Sequence, residues 1–404
     1  MKKLILSFIL FLYDKIIIPY SIFKIHRKKK IKVLFILTNI SLWKTELLYI
    51  QMLRHPRFNP IIGIVPTLAD TEKAYQEIKD YCESKKYSFI EINKHETLIK
   101  QTHCDIIFYS QPYMKHYYKP HRFTHNLKAL FLHISYGVHS VLEEWNINQP
   151  LFLHCWQYYF ENDIVASDFS SRMKNKGKNI TVTGLPMFDQ FVLYNSTRDP
   201  WKPIEGEKKK RVIYAPHHTI NSSVIKDASG INYSTFLEYG EFMLEMAEKY
   251  KDKIQFTFKP HPYLWRKLIT VWGEEKAKAY YQKWEQLSNC QIENGEYVSL
   301  FMTSDALIHD CSSFTIEYHF TSNPVLYLVK EESHDKNISR FGKEAYNLHY
   351  KGFSKEDIES FLNDIINDID PIKEKRKKFY NQYLLPPNGK TACENIINSI
   401  IYAR

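Results

Sequence analysis

The chain of 404 residues contains few cysteines and places none of them close together. There is no Cys-x-x-Cys pair and no histidine at a zinc-ligand spacing from a cysteine, which argues against a structural zinc site. No Asp-x-Asp metal motif stands out, because the Asp-Ile-Asp of residues 368–370 lies in a charged tail. The sequence therefore predicts neither metal nor cofactor. The scattered cysteines are typical of a reduced, cytosolic chain. They occupy positions 82, 104, 155, 290, 311 and 393.

The sequence also lacks internal repeats, low-complexity segments, a helix-turn-helix pattern and an aromatic-basic RNA motif. Its formal net charge is nevertheless +10, with a sequence pI of about 9.0. Such a balance favours anionic partners, namely nucleic acid, a membrane surface or phosphorylated substrates. Without a nucleic-acid motif we predict no nucleic-acid partner. Nucleic-acid binding remains an alternative function, which would make the chain a binding protein rather than an enzyme.

The N-terminus has apolar runs at 4–13 and 16–23, and a basic cluster follows at 26–30. No small-x-small cleavage site of a signal peptide follows. A spanning helix would hold Asp14 and Lys15 near mid-bilayer, at roughly 2.5–3.5 kcal/mol each, and Pro19 argues against a continuous helix. We predict that residues 1–30 lie in the membrane interface, with the basic cluster on anionic headgroups. The alternative is a buried first helix of the domain.

From residue 31 onward, short apolar segments alternate with amphipathic ones, which predicts parallel sheets covered on both faces. The pattern pauses at 194–210, a polar stretch with two prolines, and then restarts. We therefore predict an α/β protein with two doubly wound, Rossmann-like domains facing a cleft. The predicted regions are a membrane-interface segment at 1–30, an acceptor domain at 31–193, a linker at 194–210, a nucleotide-binding domain at 211–385 and a closing helix at 386–404.

The second half carries polar residues directly after three predicted strands. His217 and His218 follow the strand predicted at 211–216. Lys259 and His261 follow the next strand, and Asp310 follows the one after that. A single loop histidine is usually only a polar surface residue. Ligands of open α/β sheets bind beyond the carboxyl ends of the strands, so these residues together predict a binding site.

Two hydroxyls and a carboxylate lie at the last of these junctions, where a helical pattern begins after Asp310. Free N–H groups and the positive dipole end make a helix N-terminus an anion site, to which Ser312 and Ser313 can add hydroxyl donors. Glu317, about one turn on, can reach sugar hydroxyls. The alternative is a plain serine N-cap with an ordinary helix carboxylate. The neighbouring Lys259 and His261 favour a phosphate site.

At this point the sequence resembles the CDP-glycerol glycerophosphotransferases of the teichoic acid polymerase type. The segments "YAPHHT" (214–219) and "FKPHP" (258–262) are similar to the family's Y-A-P-T and K-P-H-P. Residues 304–328 resemble its S-D-x-L-I-[TS]-D-Y-S-S-x-x-x-[DE]-[YF] segment almost position by position. "GLPMFD" (184–189) and "NGKTACENIINSI" (388–400) are similar to two further family segments. The resemblance covers roughly residues 130 to 400.

The resemblance implies a GT-B fold that transfers glycerol phosphate or ribitol phosphate from a CDP-alditol to a hydroxyl of a cell-surface polymer. By position, Ser312 and Ser313 would bind the diphosphate, and Glu317 the ribose side. Lys259 and a protonated His261 would stabilise charge on the phosphates without metal. His217 or His218 would bridge to the acceptor.

One segment departs from the family pattern. The family's W-H-G-T-P segment contains the histidine that is the proposed general base. In this chain the corresponding segment is "LHISYGVHS" (132–140). Aligning on Gly137 places Tyr136 at the position of that histidine, with His133 and His139 on either side. A tyrosine is a poor base at neutral pH, so the base stays open among these three residues.

The resulting prediction is an enzyme on the cytoplasmic face of a bacterial cell membrane, bound peripherally. Its partners would be a CDP-alditol donor and a polysaccharide or lipid-linked acceptor in teichoic acid or capsule synthesis, and its products would include CMP. The alternative is a GT-B glycosyltransferase that uses a nucleotide sugar in capsule or lipopolysaccharide synthesis.

Overall fold

The protein is described by a computed structural model that covers residues 2–69, 72–93, 97–142, 147–204, 206–225, 232–295, 297–311, 314–330 and 338–403. The chain forms two compact units. The first comprises Met1–Val138, Leu142–Gln190 and Leu384–Arg404, and the second comprises His139–Val141 and Phe191–Tyr383. The C-terminal helix therefore belongs to the first unit.

The first unit is built on a seven-stranded parallel sheet with the strand order β3-β2-β1-β4-β5-β6-β7. Its strands are β1 (Ile31–Leu37), β2 (Phe58–Ile64), β3 (Phe89–Glu91), β4 (Ile106–Tyr109), β5 (Leu130–Ile134), β6 (Gln157–Phe160) and β7 (Ile180–Val182). Its helices are α1 (Lys2–Leu12), α2 (Ile18–Arg27), α3 (Glu46–Arg54), α4 (Glu72–Ser84), α5 (Pro150–His154), α6 (Asp163–Arg172) and α16 (Ala392–Ile401), and α7 (Asp189–Val192) leads into the second unit.

The second unit has a six-stranded parallel sheet with the order β10-β9-β8-β11-β12-β13. Its strands are β8 (Lys210–Ala215), β9 (Ile254–Phe258), β10 (Cys290–Ile292), β11 (Ala306–His309), β12 (Val325–Leu328) and β13 (Tyr350–Gly352). Its helices are α8 (Phe236–Lys249), α9 (Leu264–Trp272), α10 (Glu274–Gln286), α11 (Val298–Met302), α12 (Phe314–Glu317), α13 (Arg340–Tyr346), α14 (Lys355–Ile366) and α15 (Lys373–Phe379).

The central strands are buried along their whole length because both faces of each sheet are covered. Every residue of β9, β11 and β12 is buried, as is every residue of β4 and β5. This is the continuous apolar pattern of parallel strands rather than the alternation of a half-exposed sheet. The predicted α/β class with two doubly wound parallel sheets is confirmed.

The helical segment between β9 and β10 consists of two helices. α9 ends at Trp272 and α10 begins at Glu274, and Gly273 between them has φ +83°. That backbone region is open to glycine and strained for other residues, so the chain turns there. Half-buried Trp265 on α9 and Tyr281 on α10 contact each other across the turn, with ring centroids 4.9 Å apart.

Two segments that resemble family motifs meet inside the first unit. The Asp189 carboxylate accepts hydrogen bonds from the backbone N–H groups of Ala392 and Cys393, at 2.8 and 2.9 Å. Asp189 thus caps the first turn of α16. Gly184 has φ +81°, and a Cβ atom there would lie 3.0 Å from Ala392 Cβ, which explains a glycine at this position. These segments join the C-terminal helix to the first unit.

The N-terminal segment is helical from residue 2 to residue 27, so the expectation that Pro19 interrupts the helix is wrong. A π-helical turn (Tyr13–Ile17) joins α1 to α2, and Pro19 lies in the first turn of α2. A wider turn just before the proline accommodates its missing N–H and its ring. Residues 4–27 are long and apolar enough to cross a membrane by length and composition, which is weak evidence of membrane association.

The same segment is attached to the first unit at its middle. Tyr13 is fully buried, and its hydroxyl donates a hydrogen bond to the Ala129 carbonyl at 2.9 Å. Asp14 contacts Nδ1 of His154 at 2.8 Å. Large apolar side chains on the outer side are exposed, among them Leu4 (76%) and Phe8 (61%).

Candidate active site

The candidate site lies at the carboxyl ends of three neighbouring strands of the second unit. β8 pairs with β9 on one side and with β11 on the other, all in parallel. The order of connection reverses at β8, which is therefore the topological switch point of this sheet. Ligands of open α/β sheets bind at such points. The residues that follow these strands are the ones that the sequence singled out.

Asp310, at the end of β11, organises the loop that follows β8. Its fully buried carboxylate accepts a hydrogen bond from the backbone N–H of His217 at 2.5 Å. It accepts two more from Thr235, from the backbone N–H at 2.7 Å and from Oγ1 at 3.0 Å. Burial raises the pKa of Asp310 to about 6, against these hydrogen bonds, which lower it. The contacts place Asp310 as a positioning residue beneath the histidines.

Three half-buried imidazoles lie together above this carboxylate. The ring centroids of His218 and His261 are 4.0 Å apart, those of His217 and His218 are 4.3 Å apart, and those of His217 and His261 are 5.1 Å apart. The structure therefore brings together the loop after β8 and the loop after β9, as the sequence predicted.

The tautomers of two of these histidines follow from their hydrogen bonds. Nδ1 of His261 accepts the backbone N–H of Tyr263 at 3.1 Å. Nδ1 of His217 accepts the backbone N–H of Thr219 at 3.3 Å and contacts Thr219 Oγ1 at 2.8 Å. That hydroxyl oxygen itself accepts the N–H of Tyr233 at 3.0 Å, so its proton points to the ring. In its neutral form, each of the two rings therefore carries its proton on Nε2 and presents an N–H donor.

The surroundings of His261 disfavour its protonation. Burial and, secondarily, the neighbouring His218 and Lys259 lower the pKa of His261 to about 4. Desolvation and nearby positive charge thus disfavour the imidazolium ion that the sequence analysis expects at His261. In the neutral form, the ring can donate a hydrogen bond through its N–H group.

Lys259 brings a positive charge to the site. Its side chain is largely buried, and Nζ donates a hydrogen bond to the Gly295 carbonyl at 3.0 Å. The same ammonium lies 5.8 Å from the centroid of the Tyr297 ring. Its backbone N–H continues the β8–β9 ladder by donating to the Tyr214 carbonyl at 2.8 Å. The sheet and the loop after β10 thus hold this cation at the strand ends.

The predicted serine pair, Ser312 and Ser313, lies outside the described residues. The helix that follows, α12, runs only from Phe314 to Glu317 and continues as a 3₁₀ turn (Tyr318–Thr321). Glu317 is buried, with 4% of its surface exposed. A contact from Glu317 to a ribose stays a prediction.

The residues proposed as general base divide between the two units. His133, on β5 of the first unit, is 1% exposed, packs against the rings of Phe152 and Tyr158, and contacts the Tyr109 carbonyl through Nδ1 at 2.5 Å. Half-buried Tyr136 follows the same strand.

Gly137 shows no need for a glycine, since a Cβ atom there would meet no atom within 4 Å. His139 belongs to the second unit, where its carbonyl accepts a hydrogen bond from Ser339 Oγ at 2.7 Å. Ser140 is held beside it, because its carbonyl accepts the backbone N–H of Ser339 at 2.8 Å. The side chain of His139 is largely buried.

His217, His218 and His261 are also the residues that could hold a metal ion. Each offers a ring nitrogen, and these atoms lie within 4.8 Å of one another. Such a donor set suits a first-row transition metal. A metal on Nε2 requires Nδ1 to donate its proton outward. Since Nδ1 of His217 and of His261 accepts a backbone N–H instead, the arrangement does not fit a metal ion.

Sequence reasoning missed two threonines that build this site. Thr219 sets the tautomer of His217, and Thr235 binds the Asp310 carboxylate. Thr235 precedes α8 (Phe236–Lys249), and threonine before a helical pattern is a capping signal. That signal predicts a helix start, but it does not predict that the residue contacts another strand end.

The sequence profile of the CDP-glycerol:poly(glycerophosphate) glycerophosphotransferases matches residues 152–402 of this chain. The match spans more than half of the chain. It contains every residue of the strand-end cluster, which comprises His217, His218, Lys259, His261 and Asp310. The chain belongs to this family of enzymes, which supports a transfer reaction with CDP-glycerol as donor. Among curated protein sequences no significant match is found.

Solved structures place the fold in the GT-B-like class. The wall teichoic acid polymerase TagF matches with a TM-score of 0.61 at 15% identity, over 93% of this chain and 89% of that one. The UDP-GlcNAc 2-epimerase of Neisseria meningitidis, bound to UDP-GlcNAc, matches with a TM-score of 0.57 at 14% identity, over 93% of this chain and 100% of that one. At these identities the likeness concerns the fold alone.

Proposed function

We propose that this enzyme transfers glycerol phosphate, or another polyol phosphate, from a CDP-activated donor to a hydroxyl of a cell-surface glycan or polymer and releases CMP. The observation that carries the proposal is the convergence of three imidazoles and one buried ammonium at the ends of β8 and β9, beside the Asp310 carboxylate at the end of β11. These residues lie in the region matched by the family profile.

The cluster suits a diphosphate because it combines neutral hydrogen-bond donors with one positive charge. His217 and His261 each present an Nε2–H group, and Lys259 adds one positive charge. Fixed donors in a partly dry site stabilise charge better than mobile water does. A bound diphosphate would also favour the imidazolium form of His261, which would strengthen these contacts as negative charge develops.

The reaction would run as an in-line displacement at the donor's distal phosphorus. The acceptor hydroxyl oxygen forms the new P–O bond, and the bond from that phosphorus to the bridging oxygen breaks. CMP leaves with the electron pair of that bond, and the acceptor proton passes to a base. Phosphoryl transfer of this kind depends chiefly on positioning and charge stabilisation.

His261 is not that base in the observed tautomer, because Nε2 already carries a proton and Nδ1 accepts a backbone N–H. Tyr136, His133 and His139 stay the alternatives. His133 would have to leave its aromatic surroundings to reach an acceptor, since only 1% of it is exposed. Single substitutions Tyr136→Phe, His133→Asn and His139→Asn separate the three, because loss of the base lowers kcat with little effect on donor binding.

Peripheral attachment to the cytoplasmic face of the cell membrane is part of the proposal. Large apolar side chains of the N-terminal helix are exposed at positions 4, 5, 6, 8, 9, 11, 16, 20 and 23. The buried residues Tyr13 and Ile25 attach the helix to the first unit. A helix fixed to the protein at its middle suits a position in the plane of the interface better than a spanning one.

Turnover of defined donors tests the proposed reaction. The full chain is incubated with an acceptor-bearing membrane fraction and CDP-glycerol, CDP-ribitol or a UDP-sugar, and the released nucleotide is quantified by chromatography. CMP release from a CDP-alditol, with the polyol phosphate recovered on the acceptor, supports the proposal. Nucleotide release only from a sugar nucleotide would instead establish a glycosyltransferase.

A further inference from the structure

A cavity of about 390 Å³ adjoins the strand-end cluster on the side of β9. It lies entirely within the second unit, between the loop after β9, helices α9 and α10, and the loop after β10. Its volume is within the range of pockets that hold small ligands. Among the residues that line it are His261, Trp265, Lys278, Tyr281, Glu285 and Asn294.

The walls of the cavity combine an aromatic pair with polar groups of both signs. Trp265 and Tyr281 are half-buried and contact each other edge to face, with an interplanar angle of 81°. Lys278, Glu285 and Asn294 are exposed at the rim. A hydrophobic wall with a few polar groups that fix orientation is the usual composition of a ligand site. Here the polar side chains at the rim can bind a phosphate and hydroxyl groups at the same time.

One wall residue has an unused hydrogen-bonding group. The Tyr281 hydroxyl is shielded from solvent and has no hydrogen-bond partner among the described residues. Burial raises the pKa of Tyr281, so the group stays protonated and can donate. Buried polar groups are nearly always satisfied, and an orphaned one beside a cavity indicates a missing partner.

We propose that this cavity is an acceptor subsite that binds a phosphate-bearing polyol unit of the growing chain. The inference rests on the proposed transferase function, and it adds a contact for the acceptor chain in the second unit to the acceptor domain predicted at residues 31–193. His261 lines both the cavity and the strand-end cluster, so a chain seated here would have its neighbouring unit close to the donor phosphates. Lys278 would face the phosphate, and Glu285 with Asn294 would bond polyol hydroxyls.

A double variant, Lys278→Met with Glu285→Gln, tests the assignment. Both side chains are exposed, so the fold should be unaffected. We expect the KM for a glycerol phosphate trimer to rise at least fivefold while the KM for CDP-glycerol is unchanged. The matched control is Lys283→Met with Glu275→Gln, which alters exposed residues of the same helix that do not line the cavity.

Two results would overturn the proposal. An unchanged KM for the trimer would remove the cavity from acceptor binding, and a rise in the donor KM alone would assign it to the donor. Calorimetric titration with the trimer in the absence of donor gives a readout that does not depend on turnover. Measurable trimer binding that the double variant weakens supports the subsite even if CDP-glycerol proves not to be the donor.

The ligand class is tested by comparing the phosphate-bearing trimer with an uncharged trisaccharide. We expect the trimer to bind more tightly, and its advantage to shrink in the double variant and with added salt. Tighter binding of the uncharged trisaccharide would overturn the assignment of a phosphate to Lys278.

Discussion

The Asp310 carboxylate accepts the backbone N–H of His217, and through this contact a residue at the end of β11 determines where the loop after β8 lies. The other oxygen binds Thr235 at the start of α8. Three elements of the second unit thus meet on one buried carboxylate. The histidines above it are therefore placed by a group that need not touch the substrate.

We expect Asp310→Asn to misplace the histidine loop and to weaken donor binding. An amide has one oxygen acceptor where the carboxylate uses two, so one N–H donor loses its partner, at about 1–3 kcal/mol. The donor KM should rise about tenfold or more, and the midpoint of urea unfolding should fall. Thr235→Val is the matched control, because it removes one hydroxyl and keeps the backbone contact. Equal kinetics of Asp310→Asn and wild type would contradict the positioning role.

His261→Ala should lower kcat roughly 10²–10³-fold with little effect on folding, since a preorganised donor in the site is lost. His261→Gln should recover part of the rate, because its side-chain amide can donate from a similar reach. The pKa of about 4 makes His261 neutral across pH 6–8 in the free enzyme. A profile of kcat/KM against pH should therefore show no loss of activity due to this residue in that range. A rate unchanged by His261→Ala would remove the residue from the mechanism.

Chelators should leave the activity unchanged. The tautomers of His217 and His261 present protons rather than lone pairs to the centre of the cluster. The measurement is turnover after incubation with EDTA and removal of the chelator. Loss of activity that added Zn²⁺ or Mg²⁺ restores would show that the cluster or another group binds a required ion.

Below pH 6.5 the protein should lose stability because of a second histidine cluster, formed by the buried residues His309, His319 and His349. Burial lowers the pKa of His309 and of His319 to about 3, and that of His349 well below its ordinary value. The unfolded chain binds protons at these positions below about pH 6.5. The folded protein protonates His309 and His319 only near pH 3, and the lowered pKa of His349 acts in the same direction. Folding therefore loses up to about 1.4 kcal/mol per histidine per pH unit as the pH falls between these values.

Asp310 works in the opposite direction. Its raised pKa makes the folded state hold a proton between pH 3.8 and about 6, where the unfolded carboxyl has lost it. The effect of three histidines exceeds that of one carboxyl group, so the free energy of unfolding still decreases as the pH falls. Urea unfolding at several pH values should show the slope, and His309→Phe should flatten it. His125→Gln, at an exposed position, is the control; an unchanged slope in His309→Phe would contradict the assignment.

The sequence predicts the strand-end arrangement because each element carries its own local signal. The strands β1, β8, β11 and β12 are continuous apolar runs with polar residues at their ends, and parallel pairing brings such ends to one edge of the sheet. A tautomer has no such local signal. It depends on which backbone N–H reaches His261 Nδ1 after the loop has folded. The break at Gly273 is visible as a glycine, but a glycine within a helical pattern does not by itself end the helix.

Membrane binding should depend on the exposed apolar residues of the N-terminal helix, which include Phe8, Phe11 and Phe23 and are called the apolar stripe below. We expect Phe8→Ser with Phe11→Ser and Phe23→Ser to abolish co-sedimentation with vesicles that contain phosphatidylglycerol, while activity on a soluble acceptor persists. Each buried aromatic side chain contributes about 1.5–3 kcal/mol of transfer free energy, so three losses exceed a hundredfold in affinity. Leu193→Ser, which removes another exposed apolar side chain, is the control.

Deleting residues 1–30 is a less direct test of the same point. Tyr13 is fully buried and bonds the Ala129 carbonyl, so the deletion would also open the core beside β5 and lower stability. The triple variant leaves Tyr13 and the Asp14–His154 contact in place, and it therefore separates membrane affinity from folding. Undiminished sedimentation of that variant at low salt would show that the basic cluster or another surface, rather than the apolar stripe, holds the enzyme to the bilayer.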